Sequence, residues 1–217
     1  ARTSLLNVTN FPNRQPFGVV SAIADAGGLE KRYGLSSRYL DYKRLFGMMD
    51  RMGADRAVQD RAGQIAGILV RGASSCTMTE EEVASSVLFY LTALEAMRVH
   101  GCNAFTIECF ELCSALEPWN RRFTPCLAHA LLKDRGYPSA CEGDLNALLA
   151  MMLEMYVSRQ AVYMGNPTID RKTNILNIPH SVASLRMQGV DGGASPYAIH
   201  HFANAGFGAT LRHDFAA

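Results

Sequence analysis

Thr79 is followed three residues later by Glu82, a capping box in which hydroxyl and carboxylate take up free backbone N–H groups at a helix start. Glu80, Glu81 and Glu82 also suit the positive end of a helix dipole. Val83, Val87, Leu88, Leu91, Leu94 and Met97 then recur at helical spacing up to Gly101. The β-rich run Asn103 to Phe110 follows at once. A helix feeding directly into an apolar strand predicts a parallel α/β layer.

The flanking segments extend that pattern. Ser4 to Val8 reads as a strand, Gly18 to Tyr33 as a helix ending near Gly34, and Ser37 to Asp41 as a second strand. Tyr42 to Met52 reads as a helix stopped by Gly53, and Asp55 to Val70 as another that Gly63 and Gly67 weaken. After Thr124-Pro125 a helix runs to Lys133 and stops at Gly136; Tyr137 to Cys141 is extended; Leu145 to Ser158 is a helix opened by Gly143-Asp144. Ala161 to Met164 reads as a buried strand. Beyond Gly165, prolines and short alternating runs replace helical periodicity. The expected organisation is a Rossmann-like parallel-sheet layer over residues 1–160, then part of a β-rich, barrel-like domain over 161–217.

Hydrophobic residues make up 48% of the 217, enough apolar mass for a core. A net charge of +1 gives no electrostatic case for nucleic acid or an anionic membrane as partner. No apolar run approaches the roughly 20 residues that span a bilayer. The six cysteines form no C-x-x-C pair, so they read as buried reduced thiols of a cytoplasmic protein rather than a zinc site. The chain starts without Met and stops just after a β-like run, so both ends are expected to continue in a longer subunit.

Polar residues gather at element ends. In Cys141-Glu142-Gly143-Asp144, glycine permits a sharp turn between an extended piece and a helix start. Asp144 fits a helix N-cap there, or catalysis; Glu142 precedes the cap and is the better catalytic candidate. Gly165-Asn166-Pro167 reads as a turn by composition. His180 follows an apolar strand and is held by Pro179; of His200 and His201, only one can face a cleft. Glu, Asn and His together suit manganese or a similar divalent ion with positions open to substrate hydroxyls. Phosphate-loop, dinucleotide, serine-hydrolase and zincin motifs are absent.

The run TPCLAHALLKDRGYPSACEGDLNALLAMM, from Thr124 to Met152, resembles the L-fucose/L-arabinose isomerase superfamily. VYMGNPTID resembles its next strand and metal-site turn, ILNIPHSVASLRM a later segment with a metal histidine, and HHFANAGFGATLRHDF the early strands of its carboxy-terminal β domain. The likeness is best from about Asn103 to Phe215. It implies the second α/β domain and the start of the β domain of a homo-oligomeric (trimeric or hexameric) isomerase acting on a small sugar. It also implies manganese held by Glu142, Asn166 and His180, proton transfer by Glu142 with Asp144, and substrate contacts at His201 and Cys109. One departure stands out: characterised relatives carry an acid where this chain has Asn166, and Asn cannot shuttle protons. A non-catalytic sugar- or metal-binding relative, and a lyase or epimerase on the same scaffold, remain open beside the isomerase.

Overall fold

The structure is a computed structural model that describes residues 3–12, 14–19, 23, 26–189, 191–201 and 209–213. Its centre is a four-stranded parallel sheet of β1 (Ser4–Val8), β2 (Ser36–Leu40), β4 (Ala104–Ile107) and β5 (Ser139–Ala140), in the order β2-β1-β4-β5. The inner strands are buried on both faces: Leu5, Leu6 and Val8 of β1, and Ala104, Phe105 and Ile107 of β4. Continuous apolar runs are what a covered parallel sheet needs.

The connections are helical. Helix α1 (Ala26–Tyr33) leads into β2; α2 (Tyr42–Ala54), α3 (Arg56–Gly72) and α4 (Glu80–Val99) lead to β4; α5 (Cys109–Ser114), α6 (Glu117–Arg121) and α7 (Cys126–Asp134) lead to β5; α8 (Leu145–Ser158) follows. Thr79 and Glu82 form both bonds of the capping box. Helix α4 is apolar on most sides because it is covered on most sides. It packs on α2, α3 and α7, and Phe89 stacks on Phe123 at 4.5 Å.

A second sheet joins a strand between α3 and α4 to the late part of the sequence. The two-residue β3 (Ser75–Cys76) pairs in parallel with β8 (Tyr197–His201), and β8 pairs antiparallel with β9 (Ala209–His213). Tyr197, Ile199, Ala209 and Leu211 belong to the same core as α4 and α7. The Ala209 N–H donates to Ser86 Oγ of α4 at 2.9 Å. Between α8 and β8 lies an exposed hairpin, β6 (Thr168–Asp170) with β7 (Ile175–Asn177). The described residues thus give a mixed α/β fold built on a parallel sheet. No described helix is long and apolar enough to cross a membrane.

Several expectations need correction. Of the helix expected over Gly18 to Tyr33, the described helical part is Ala26–Tyr33: Phe17 and Gly18 form a turn, with Gly18 at φ +81, and residues 20–22, 24 and 25 lie outside the described residues. Gly53 does not stop α2; Asp55 does, serving also as N-cap of α3 through a bond from the Ala57 N–H. The strand expected over Asn103 to Phe110 ends at Ile107, and Cys109 and Phe110 open α5, putting Cys109 and Cys113 on one helix. Ala161 to Met164 forms no strand; Ala161 and Met164 are buried, but the segment joins no sheet. Of the run from His200, residues 202–208 and 214–217 lie outside the described residues.

Candidate metal and acid–base site

The chain leaves β5 through a tight reversal. Glu142 (φ +66) and Gly143 (φ +68) both take left-handed backbone angles, after which Asp144 starts α8. Gly143 is required there twice over, since a Cβ would also press on Pro16 Cγ at 3.1 Å. For Glu142 the same conformation costs about 1–2 kcal/mol. Strain of this kind persists where surrounding structure enforces it, and it concentrates at functional sites. Asp144 Oδ1 accepts from the Asn146 and Ala147 N–H groups at 2.9 and 3.0 Å, so it caps α8.

The reversal turns the Glu142 side chain inward, leaving the residue 7% exposed. Its Oε1 accepts from Asn166 Nδ2 at 3.0 Å and from His180 Nε2 at 3.2 Å. The hairpin explains how Asn166 and His180 meet. Thr168 faces Asn177, and two residues further along that register the Asn166 N–H donates to the Pro179 carbonyl at 3.1 Å. Gly165 lets the two arms close, because a Cβ would lie 2.5 Å from Ile178 Cγ2 and 2.9 Å from its carbonyl oxygen. The Tyr163 hydroxyl reaches the carbonyls of Ile178 and His180 at 3.1 and 3.3 Å.

The arms are moored to the body of the protein by Lys133. This lysine is 1% exposed, and its Nζ donates to the carbonyls of Val162 at 3.1 Å and Val182 at 2.8 Å. Burial pulls its ammonium down to about 8. Burial also pushes the Glu142 carboxyl upward, but the hydrogen bonds from His180 and Asn166 outweigh it and hold the group below its ordinary value. The Ser181 N–H donates to His180 Nδ1 at 2.9 Å, which places the imidazole proton on Nε2, facing Glu142.

Glu142, Asn166 and His180, picked from sequence as ligands, are therefore brought together. Asp144 sits in the same turn, with its Oδ1 engaged by the cap. Cys109 adjoins through its thiol, 3.4 Å from that of Cys141. His201 lies in the other sheet, on β8, and no described hydrogen bond links it to Glu142, Asn166 or His180. Among the described residues no group of three or more His, Cys, Asp or Glu side chains is placed to hold a metal ion. The cluster at Glu142 reaches three donors only by counting the Asn166 amide.

Two residues escaped the reading of the sequence. Lys133 gives no local signal, because its partners lie 29 and 49 residues away. Glu108 is 1% exposed and follows β4 directly; it accepts from Thr9 Oγ1 at 2.5 Å and the Phe17 N–H at 2.9 Å. Its signal was hidden, since the strand was expected to run on to Phe110 and so held Glu108 inside it, whereas β4 ends at Ile107. Comparison with protein-family models and with curated proteins finds no match.

Proposed function

We propose that Glu142, Asn166 and His180 form the cation-binding, proton-transferring centre of an aldose–ketose isomerase acting through a cis-enediol. The observation that carries this reading is the meeting of carboxylate, amide and imidazole at a single carboxylate oxygen. Neighbouring ligands of an octahedral ion bonded at about 2.0–2.1 Å stand about 3 Å apart. The 3.0 and 3.2 Å separations match such an edge, so the residues fit a manganese-like ion in donor type and spacing. Asn166 would serve through its carbonyl oxygen once the amide turns over, and His180 through Nε2 once the ring proton shifts to Nδ1 and the Ser181 N–H contact gives way. A cation held there supplies Lewis-acid stabilisation of enediolate oxygens.

The chain's own residues supply the rest. Glu142 Oε2 takes no described hydrogen bond and is the oxygen available to lift a proton from one sugar carbon and return it to the next. One carboxylate suffices for the carbon-to-carbon transfer when both carbons present the same face; the proton that passes between O2 and O1 would need a second carrier, which the Asn166 amide does not supply. The low affinity of Glu142 for its own proton keeps it ready as a base. The resemblance stated above would make β8 and β9 the start of a barrel-like domain within a larger homo-oligomer.

A panel of fucose, arabinose and related sugars, tested for manganese-dependent ketose formation with the intact gene product, checks the proposal. Conversion abolished by a chelator and by Glu142→Gln is the expected result; conversion that survives both rules it out. The second reading, a non-catalytic relative that binds sugar or metal, draws on Asn166 in place of an acid. Manganese binding without conversion of any sugar in the panel would favour it.

A further inference from the structure

In the order β2-β1-β4-β5 the sheet grows away from β1 in both directions, which leaves a crevice over the carboxyl ends of β1 and β4. Ligands of open parallel sheets bind at such a reversal point. The crevice is lined by Asn7, Thr9, Arg14, Glu108 and Gly143, among others. It adjoins the Glu142 turn: Glu108 Cα lies 3.5 Å from where a Gly143 Cβ would stand. Asn7 is 7% exposed, and its Oδ1 is shut off from water and accepts from no described donor. An orphaned buried acceptor destabilises a fold until a donor, from a ligand or an ordered water, completes it.

We propose that this crevice is a hydroxyl-recognising subsite for a small polyol chain, with Asn7 Oδ1 and the Glu108 carboxylate as acceptors. The inference rests on the isomerase reading only in naming the ligand class: it gives the hydroxyls remote from the reacting carbons a place to bind. The crevice now has space for about one water. Pro12 and Pro16 line it, and Glu108 itself tethers their loop through Thr9 Oγ1, the Phe17 N–H and Arg14 Nη2 at 3.4 Å. Ligand hydroxyls donate to the same carboxylate, so a polyol replaces these loop donors as the loop lifts. A hydrocarbon chain offers no donor to either acceptor and is rejected.

The test uses the full chain and calorimetric titration with pentitols and hexitols. Asn7→Leu removes an acceptor that no described residue uses, so its melting temperature should equal or exceed that of the wild type. Its alditol affinity should fall at least tenfold. Glu108→Gln, folded by circular dichroism, should also bind more weakly, while manganese affinity stays unchanged in both variants. Equal alditol affinity in wild type and Asn7→Leu overturns the subsite, as does a wild type that binds no alditol at millimolar concentration. Manganese binding compared between wild type and Glu142→Gln reports on the isomerase reading alone; its failure there, with alditol binding still dependent on Asn7, leaves the subsite standing.

Discussion

Glu142 answers two opposed demands. Its backbone sits at φ +66, where glycine would be at ease, yet its side chain is the hub on which Asn166 and His180 converge. Glu142→Gly should therefore melt no lower than the wild type while losing manganese binding, and Glu142→Gln should lower turnover by about 10²–10⁴-fold with an unchanged circular dichroism spectrum. The depressed carboxyl also fixes a pH dependence. Because the folded state holds this group below its unfolded value, the associated stability is fully present above about 4.5 and disappears as pH falls through the lower, folded value. Subtracting urea-denaturation curves of Glu142→Gln from those of the wild type should show a difference that is flat above that point and shrinks toward acid. A difference that grows toward acid would contradict the assigned direction.

Single elements set how accurately that hub is held. Asp144 caps α8 through two N–H groups and follows the strained turn directly, so Asp144→Ala should cost about 1 kcal/mol in thermal or denaturant unfolding. It should reduce turnover far less than Glu142→Gln does; an equal loss would make Asp144 a direct participant. At this scale much was legible in advance. The capping box at Thr79, the stop at Gly136 and the start of α8 each rest on neighbours within four residues, and all three are present. The hub was legible differently: Glu142 and His180 drew notice beside expected strands, while Asn166 read as a turn residue and joined them only through the family resemblance. Elements defined by distant partners were not legible. Ser75–Cys76 is a strand only because β8 lies alongside, and Val162 and Tyr163 look like strand residues that find no neighbouring strand. Cys109-Phe110 continued an apolar run, yet the chain turns at Glu108, whose partners Thr9 and Phe17 lie more than 90 residues away.

For the whole molecule the decisive contact is the buried ammonium of Lys133, which ties two late segments to α7. Its folded value of about 8 lies below the unfolded 10.5, so the unfolded chain binds the extra proton between those limits. Stability contributed through this group therefore rises with pH across that window. Buried tyrosines such as Tyr90 and Tyr197 are pushed upward and act in the opposite sense near its top. The clean readout is the difference between wild type and Lys133→Met, which should climb from pH 8 to 10; a flat difference would mean the lysine titrates normally. The same variant should bind manganese about tenfold more weakly, since both ligand-bearing arms lose their mooring.

The pairing of Leu5 with Ala104 bears on how the polypeptide is made. Once synthesised, β1 waits for a neighbour almost a hundred residues downstream, which at 5–20 residues per second is about 5–20 s. During that interval Leu5, Leu6 and Val8 have no inner neighbour to cover them. Such a nascent chain is a natural client for a hydrophobic-binding chaperone, and low-temperature expression should favour its soluble yield.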